Sequence, residues 1–339
     1  MVAVTNLIPG SNSTEVMIHI GYVTRGIPGA ILAGICFVAP AFLLTLALAV
    51  LYVNSGTIPQ ENALLWGIKP VIVAIIAHVG YRFAVTVLKT RALWLLCGVS
   101  LALMVLLDVT EMVVMLGIGL AYALYRVRPQ LSQSAFILLP IMAPLLENTQ
   151  QIVQRAGVWD LFFYFLRIGS VLFGSGYLLV AYIQQDLVNT FAWLSAREVL
   201  DAVAIGQTTP GPVLTTVTVV GYIVAGLPGA IMATIGVFLP AFVLVILTAP
   251  LLPRVRESRF CSAFLAGANT GVIAALLVTL VDLALAAWRT SSDTALSLTS
   301  LFITIGALAL LLRTTLNPIW LIAVGGLIGL LLVFLGVSV

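Results

Sequence analysis

Two Pro-Gly elements set in apolar sequence carry much of the polar chemistry of this chain. Pro210-Gly211-Pro212 is flanked by Gln207, Thr208, Thr209, Thr215 and Thr216. Pro9-Gly10-Ser11 is flanked by Asn6, Asn12, Ser13 and Thr14. Proline removes a backbone donor and keeps the residue before it out of the helical region. A helix therefore stops at each element and a new one starts beyond it. The start of a helix has N–H groups without intrahelical partners and a partial positive charge, which suits an anion. The neighbouring hydroxyls and amides would add donors. The plainer reading is a structural kink whose hydroxyls cap the helices. With both elements present, two helix starts could face one oxyanion from opposite sides.

Three further features bear on such a site. Lys69, in Gly67-Ile68-Lys69-Pro70, lies inside an apolar run. An ionisable residue in a membrane is a functional candidate by default, although Lys69 is close enough to the end of its span to snorkel. Its partner position in the second half is Asn269. Glu15 follows the first Pro-Gly element and is either a protonatable coupling group or a partner for Arg25 or Lys69. Phe173-Gly174-Ser175-Gly176 falls within another apolar run, where its glycines either permit close helix packing or line the site.

The elements that must hold these residues are helices in a lipid bilayer. The chain has 339 residues, 62% hydrophobic and 8% charged. A soluble protein carries roughly 25% charged residues, and so few charges cannot cover a surface of this size. Long apolar runs, rather than alternating segments of about ten residues, make the spans helical. A net charge of +3 spread over loops gives no nucleic-acid footprint. Cys36, Cys97 and Cys261 have no metal or redox spacing, and no Walker sequence or HExxH is present. No cofactor motif and no acid–base or metal set for an enzyme can be found. The partners this implies are a small anion and the bilayer, with a homodimer left open.

The sequence also repeats itself. Gly21–Phe42 and Gly221–Phe242 share 12 of 22 positions at an offset of 200. A duplicated apolar block broken by Gly and Pro at matching positions points to a secondary transporter with its site between the repeats. The expected organisation is an N-terminal repeat at 1–128, a linker at 129–160 and a C-terminal repeat at 161–339. Spans are expected near 27–53, 63–88, 92–107 and 111–127, and near 161–183, 227–250, 262–288, 295–313 and 317–337. Residues 195–224 read as two half-helices meeting at Pro210-Gly211-Pro212. The first repeat begins almost at its break and shows no counterpart of 161–205. No signal peptide precedes it.

Basic residues gather in alternate loops. Lys89, Arg91, Arg126 and Arg128 mark one side in the first half, and Arg254, Arg256, Arg259 and Arg313 occupy the loops that were bare there. By the positive-inside rule the two repeats are upside down relative to each other. Arg25 agrees and Arg289 disagrees. The arrangement needs 195–225 to enter and leave on one side, as a re-entrant hairpin.

Gln207-Thr208-Thr209-Pro210-Gly211-Pro212, Gly221-Tyr222 and Gly226-Leu227-Pro228-Gly229-Ala230 resemble the chromate ion transporter family. So do Phe173-Gly174-Ser175-Gly176, Trp193-Leu194-Ser195 leading to Glu198, and Gly67-Ile68-Lys69-Pro70. The resemblance covers nearly the whole chain. It implies a two-domain, multi-pass protein of the bacterial inner membrane that moves chromate, usually outward. Two departures stand out: Ser11 replaces the second proline of the first Pro-Gly-Pro, and Asn6 stands where the second copy has Gln207. The opening Phe-Gly-Gly-type helix of the first half is also missing. The expected mechanism is alternating access, with one repeat rocking against the other. The alternatives are a sulfate or other small-anion carrier of the same fold, or a truncated, non-transporting membrane subunit.

Overall fold

The computed structural model describes residues 12–55, 59–107, 109–127, 157–172, 176–248, 258–288, 294–314 and 316–334. Asn6, Pro9, Gly10, Ser11, Gly174 and Ser175 lie outside these residues, as does most of the expected linker. The described residues form helices and turns and include no strand. In chain order the helices are α1 (Asn12–Ser55), α2 (Pro59–Val87), α3 (Arg91–Leu107), α4 (Glu111–Val127), α5 (Val158–Val171) and α6 (Leu178–Tyr182). A π-helical segment, Ile183–Thr190, continues α6. Then come α7 (Ala196–Thr208), a 3-10 turn (Val213–Thr215), α8 (Thr216–Thr248), α9 (Arg259–Trp288), α10 (Thr294–Arg313) and α11 (Pro318–Phe334). This is an all-α membrane protein.

Helices α1 and α8 are hairpins, not rods. Arg25 and Gly26 leave the helical region in α1, and Ala225 and Gly226 leave it in α8. Gly26 and Gly226 have φ of 64° and 63°, where a side chain is strained. Each short arm (12–24 and 216–224) folds back on a long one (27–55 and 227–248). The arms touch at Gly21 with Gly29 and at Gly221 with Gly229, where an added Cβ would run into the opposite carbonyl. Small residues at such crossings let backbones approach closely in lipid. The repeated Gly-Tyr and Gly-x-Pro-Gly-Ala sequences thus encode one turn twice.

The expected span at 161–183 is corrected. In a straight helix Tyr164 and Tyr182 would stand about 27 Å apart. Instead the Tyr164 hydroxyl donates to the Tyr182 carbonyl at 3.0 Å, so the chain reverses between α5 and α6. The hydrophobic run is continuous across this reversal, which is why it reads as a single crossing.

The halves are related by a two-fold exchange. Helix α4 packs on α9, and its counterpart α11 packs on α2; α3 packs on α9, and α10 packs on α2. Gly67 meets Gly325 while Ala63 meets Gly329, so α2 and α11 are antiparallel. Gly267 meets Gly119 and Gly271 meets Met115, so α9 and α4 are antiparallel too. Helices α9 and α11, separated by α10 and two short connections, run parallel. Hence α2 runs opposite to α9, its own equivalent, and the repeats are inverted. The loop charges give the same orientation.

The repeats are nevertheless not two separable bodies. Helices α1, α5 and α8 form one layer, and α2, α3, α4, α9, α10 and α11 form another, each mixing both halves. Helices α6 and α7 lie between the layers, with α7 touching α1, α2, α8 and α9. Rocking one repeat as a unit would tear the Gly67–Gly325 seam.

Candidate functional site

Helix α7 starts at a capping box. The Ser195 backbone N–H donates to Glu198 Oε2 at 2.7 Å, and the Glu198 N–H donates to Ser195 Oγ at 3.2 Å. The helix ends against Pro210, and the chain turns back through the 3-10 turn into the short arm of α8. Gly206 faces Thr216 across this reversal, with room for no side chain between them. The element enters and leaves on one side, as a re-entrant hairpin does. Irregular backbone at this depth is tolerated where protein buries it or where it lines a cavity.

The threonines around the break mostly serve the backbone. Thr208 Oγ1 donates to the Ile205 carbonyl at 2.7 Å, and Thr209 Oγ1 donates to that of Gly206 at 2.9 Å. Thr215 and Thr216 donate to Pro212 and Val213 at 2.9 and 2.8 Å. These hydroxyls satisfy carbonyls that a broken helix leaves without partners. Thr215 and Thr216 are also fully buried. Among the tip residues, Thr208, Pro210 and Gly211 are exposed, Gln207 is half-buried, and Thr209 and Pro212 are buried. The tip rests on the long arm of α1, where Gly211 touches Ala41 and Thr209 lies 3.1 Å from Thr45.

Gln207 is the donor left over. The Tyr177 hydroxyl donates to its Oε1 at 3.2 Å, which turns Nε2 away. That Nε2 is buried and has no partner among the described residues. An unpaired buried donor costs about 1–3 kcal/mol and calls for a reason. Gly176 lies near Val213, so the end of the Gly-Ser-Gly element approaches the same tip. Tyr177 could have been read from the sequence as the residue after that element, although nothing marks it as the amide's partner.

In the first hairpin, Ser13 is exposed while Thr14 and Glu15 are buried. Thr14 Oγ1, both Glu15 carboxylate oxygens and His19 Nδ1 have no hydrogen-bond partner among the described residues. Glu15 and His19 are one helical turn apart on the same face. Glu15 forms no ion pair with Lys69, one of the two partners considered for it.

Lys69 is held elsewhere. It does not snorkel: its side chain is 2% exposed, and Nζ lies 2.8 Å from Asp201 Oδ1 on α7. The Tyr52 hydroxyl, on the long arm of α1, donates to Asp201 Oδ2 at 3.0 Å. Asp201 and Tyr52 escaped the sequence reading. The available signal was an acid between Leu200 and Ala202 in an apolar stretch, two turns before the break. The equivalent residue Asn269 has a buried Oδ1 with no partner. The site residues therefore fall into two groups on α7: the tip at 207–212, and the Lys69–Asp201–Tyr52 cluster about 10 Å nearer the helix start.

Comparisons with known proteins agree over most of the chain. The family described as chromate transporter matches residues 1–123 and 159–330. A chromate transport protein of Cupriavidus metallidurans is 31% identical over 287 residues, covering 83% of this chain and 71% of the relative. A probable chromate transport protein of Synechococcus elongatus is 31% identical over 284 residues, covering 80% and 71%. An uncharacterized transporter of Methanocaldococcus jannaschii is 26% identical over 269 residues, covering 76% and 67%. No solved structure matches.

Proposed function

This chain belongs to the chromate transporter family, and from that premise we propose that it is a secondary carrier of chromate. Its direction is outward across the bacterial cytoplasmic membrane, and the result is chromate resistance. It is a carrier and not an enzyme. Chromate is a tetrahedral dianion much like sulfate, which suits a helix start and amide donors.

The observation that carries the reading is Gln207. Its Nε2 is a buried donor without a partner among the described residues, at the mouth of the break beside the exposed Pro210 and Gly211. The anion sits against this amide and the N–H groups that open the 3-10 turn and α8. By the sequence repeat, the same role falls to Asn6, Pro9, Gly10, Ser11, Asn12, Ser13 and Thr14 in the first half. Lys69 and Asn269 flank the path, and Gly174, Ser175 and Gly176 give it room. The threonines at 208, 209, 215 and 216 shape the break more than they bind the anion.

The moving parts are the α1–α5–α8 layer and the larger bundle, with α7 between them. Outward movement needs no coupling ion. A dianion leaving a negative-inside cell gains about 4.6 kcal/mol per 100 mV, at about 2.3 per charge. Glu15, buried without a partner among the described residues, is the group through which a proton would couple. An altered pH dependence of transport in Glu15→Gln would support that role, and an unaltered one would remove it.

The test is labelled chromate accumulation in inverted membrane vesicles. The full chain should accumulate chromate above empty-vector vesicles, and excess sulfate should change this only weakly. Gln207→Leu should lower uptake roughly tenfold with the protein still in the membrane, the loss expected for one hydrogen bond to a charged group. Uptake abolished by sulfate, with sulfate itself carried, would make this a sulfate carrier of the same fold.

A further inference from the structure

We infer that Asp201 is an internal substitute for the transported anion, holding Lys69 when the anion is absent, and that their exchange releases the link between the two layers of the fold. The inference rests on the oxyanion-carrier reading above and extends it to residues outside the break.

The three residues of the cluster come from three elements in three parts of the fold. Lys69 is on α2 in the bundle, Tyr52 is on α1 in the hairpin layer, and Asp201 is on α7 between them. The carboxylate is divided between its neighbours, with Oδ1 facing the ammonium and Oδ2 accepting from the Tyr52 hydroxyl. The 2.8 Å contact between Nζ and Oδ1 is a charge-assisted one, and an incoming oxyanion offers the ammonium the same kind of acceptor oxygen.

Stability is a weak explanation for the pair. Removing two charges from water costs several kcal/mol per ion, and well-packed apolar replacements are often as stable. The equivalent position on α9 holds neutral Asn269, whose Oδ1 has no partner among the described residues, so the charge is particular to the first copy. Asp201 and Thr208 lie seven residues apart, on one face of α7. Thr208 is exposed while Ala204 and Ile205 between them are buried, so the ion pair lies two turns inward from the open tip on the same face.

When a dianion reaches Lys69 it displaces Asp201. The freed carboxylate then repels the anion, which favours its release onward. Tyr52 loses the fixed partner that ties α1 to α7 and α2. No bond is made or broken in the exchange.

Chromate kinetics in inverted vesicles would test this for Asp201→Asn, Tyr52→Phe and the double variant Lys69→Met/Asp201→Asn, with membrane levels matched. Asp201→Asn should lower KM several-fold and lower Vmax as well, because the anion no longer has a competitor to expel it. Tyr52→Phe should change Vmax with KM nearly constant. The double variant leaves no unpaired charge and should insert at wild-type levels, yet lose transport at least tenfold. A double variant with wild-type KM and Vmax would overturn the inference, as would an unchanged KM in Asp201→Asn. If Asp201→Asn does not accumulate, the double variant decides alone. Wild-type vesicles that carry neither chromate nor sulfate would bring down the carrier reading, and this inference with it.

Discussion

The two hairpins share a backbone and differ in their chemistry. In the second, Thr218 and Thr234 share a hydrogen bond of 2.8 Å between the arms. In the first, the same positions are Ile18 and Gly34, and the Phe242 ring of the second hairpin, with Ile18 beside it, fills the space that the glycine leaves. Glu15 stands where the second copy has Thr215, and Lys69 stands where it has Asn269. The turn glycines and the Gly21–Gly29 and Gly221–Gly229 contacts are kept in both. What the fold needs is therefore the backbone approach, and each half has been free to change the polar groups around it. At these two matched positions the charge is in the first repeat, and the second supplies Asp201, the acid that faces Lys69.

The largest expected effect tests the shared part. Gly29→Val and Gly229→Val should each prevent a stable hairpin, because the new side chain meets backbone, which cannot move aside. Overpacking that side chains can relieve costs roughly 1–3 kcal/mol; here the obstacle is a backbone carbonyl, so a loss above about 5 kcal/mol is expected. Both variants should fall by similar amounts in thermal melts of detergent-purified protein. A large difference between them would mean that the two turns are not equivalent.

A smaller effect separates the halves. Lys69→Met strands a buried carboxylate and should cost about 3–5 kcal/mol, while Asn269→Ala should cost under about 1 kcal/mol. The same melts read both. Equal losses would erase the asymmetry that the ion pair creates. Smallest is Thr234→Val, which removes one shared hydrogen bond and should cost about 1 kcal/mol. Gly34 in the first hairpin has no such bond to lose.

The repeat is what made the fold legible. Glycine and proline at matching offsets marked the turns at Arg25-Gly26 and Ala225-Gly226 before any geometry was known, and most span ends followed from apolar length. The reversal after Val171 stayed hidden because hydropathy does not record direction. Two half-helices joined by a small-residue turn have the same composition as one crossing. The candidate site was half legible. The break at 207–212 is local and announces itself through proline. The Lys69–Asp201–Tyr52 cluster joins α2, α7 and α1, and no spacing along the chain encodes contacts that depend on how inverted halves interleave. The threonines show why spacing alone does not assign a role: a hydroxyl beside a broken helix serves equally well as ligand or cap, and only geometry shows which carbonyl it faces.

The distance along the chain from Lys69 to Asp201 sets a schedule for synthesis. Roughly 130 residues separate them, which at about 5–20 residues per second leaves Lys69 waiting on the order of ten seconds or more for its partner to emerge. Its helix must enter the bilayer early with a lone ammonium. The Gly67 groove beside it stays empty still longer, until α11, the last helix described, arrives with Gly325. The nascent protein therefore passes through a period in which its first half is inserted but incomplete, and its most costly charge is exposed to whatever else the membrane holds.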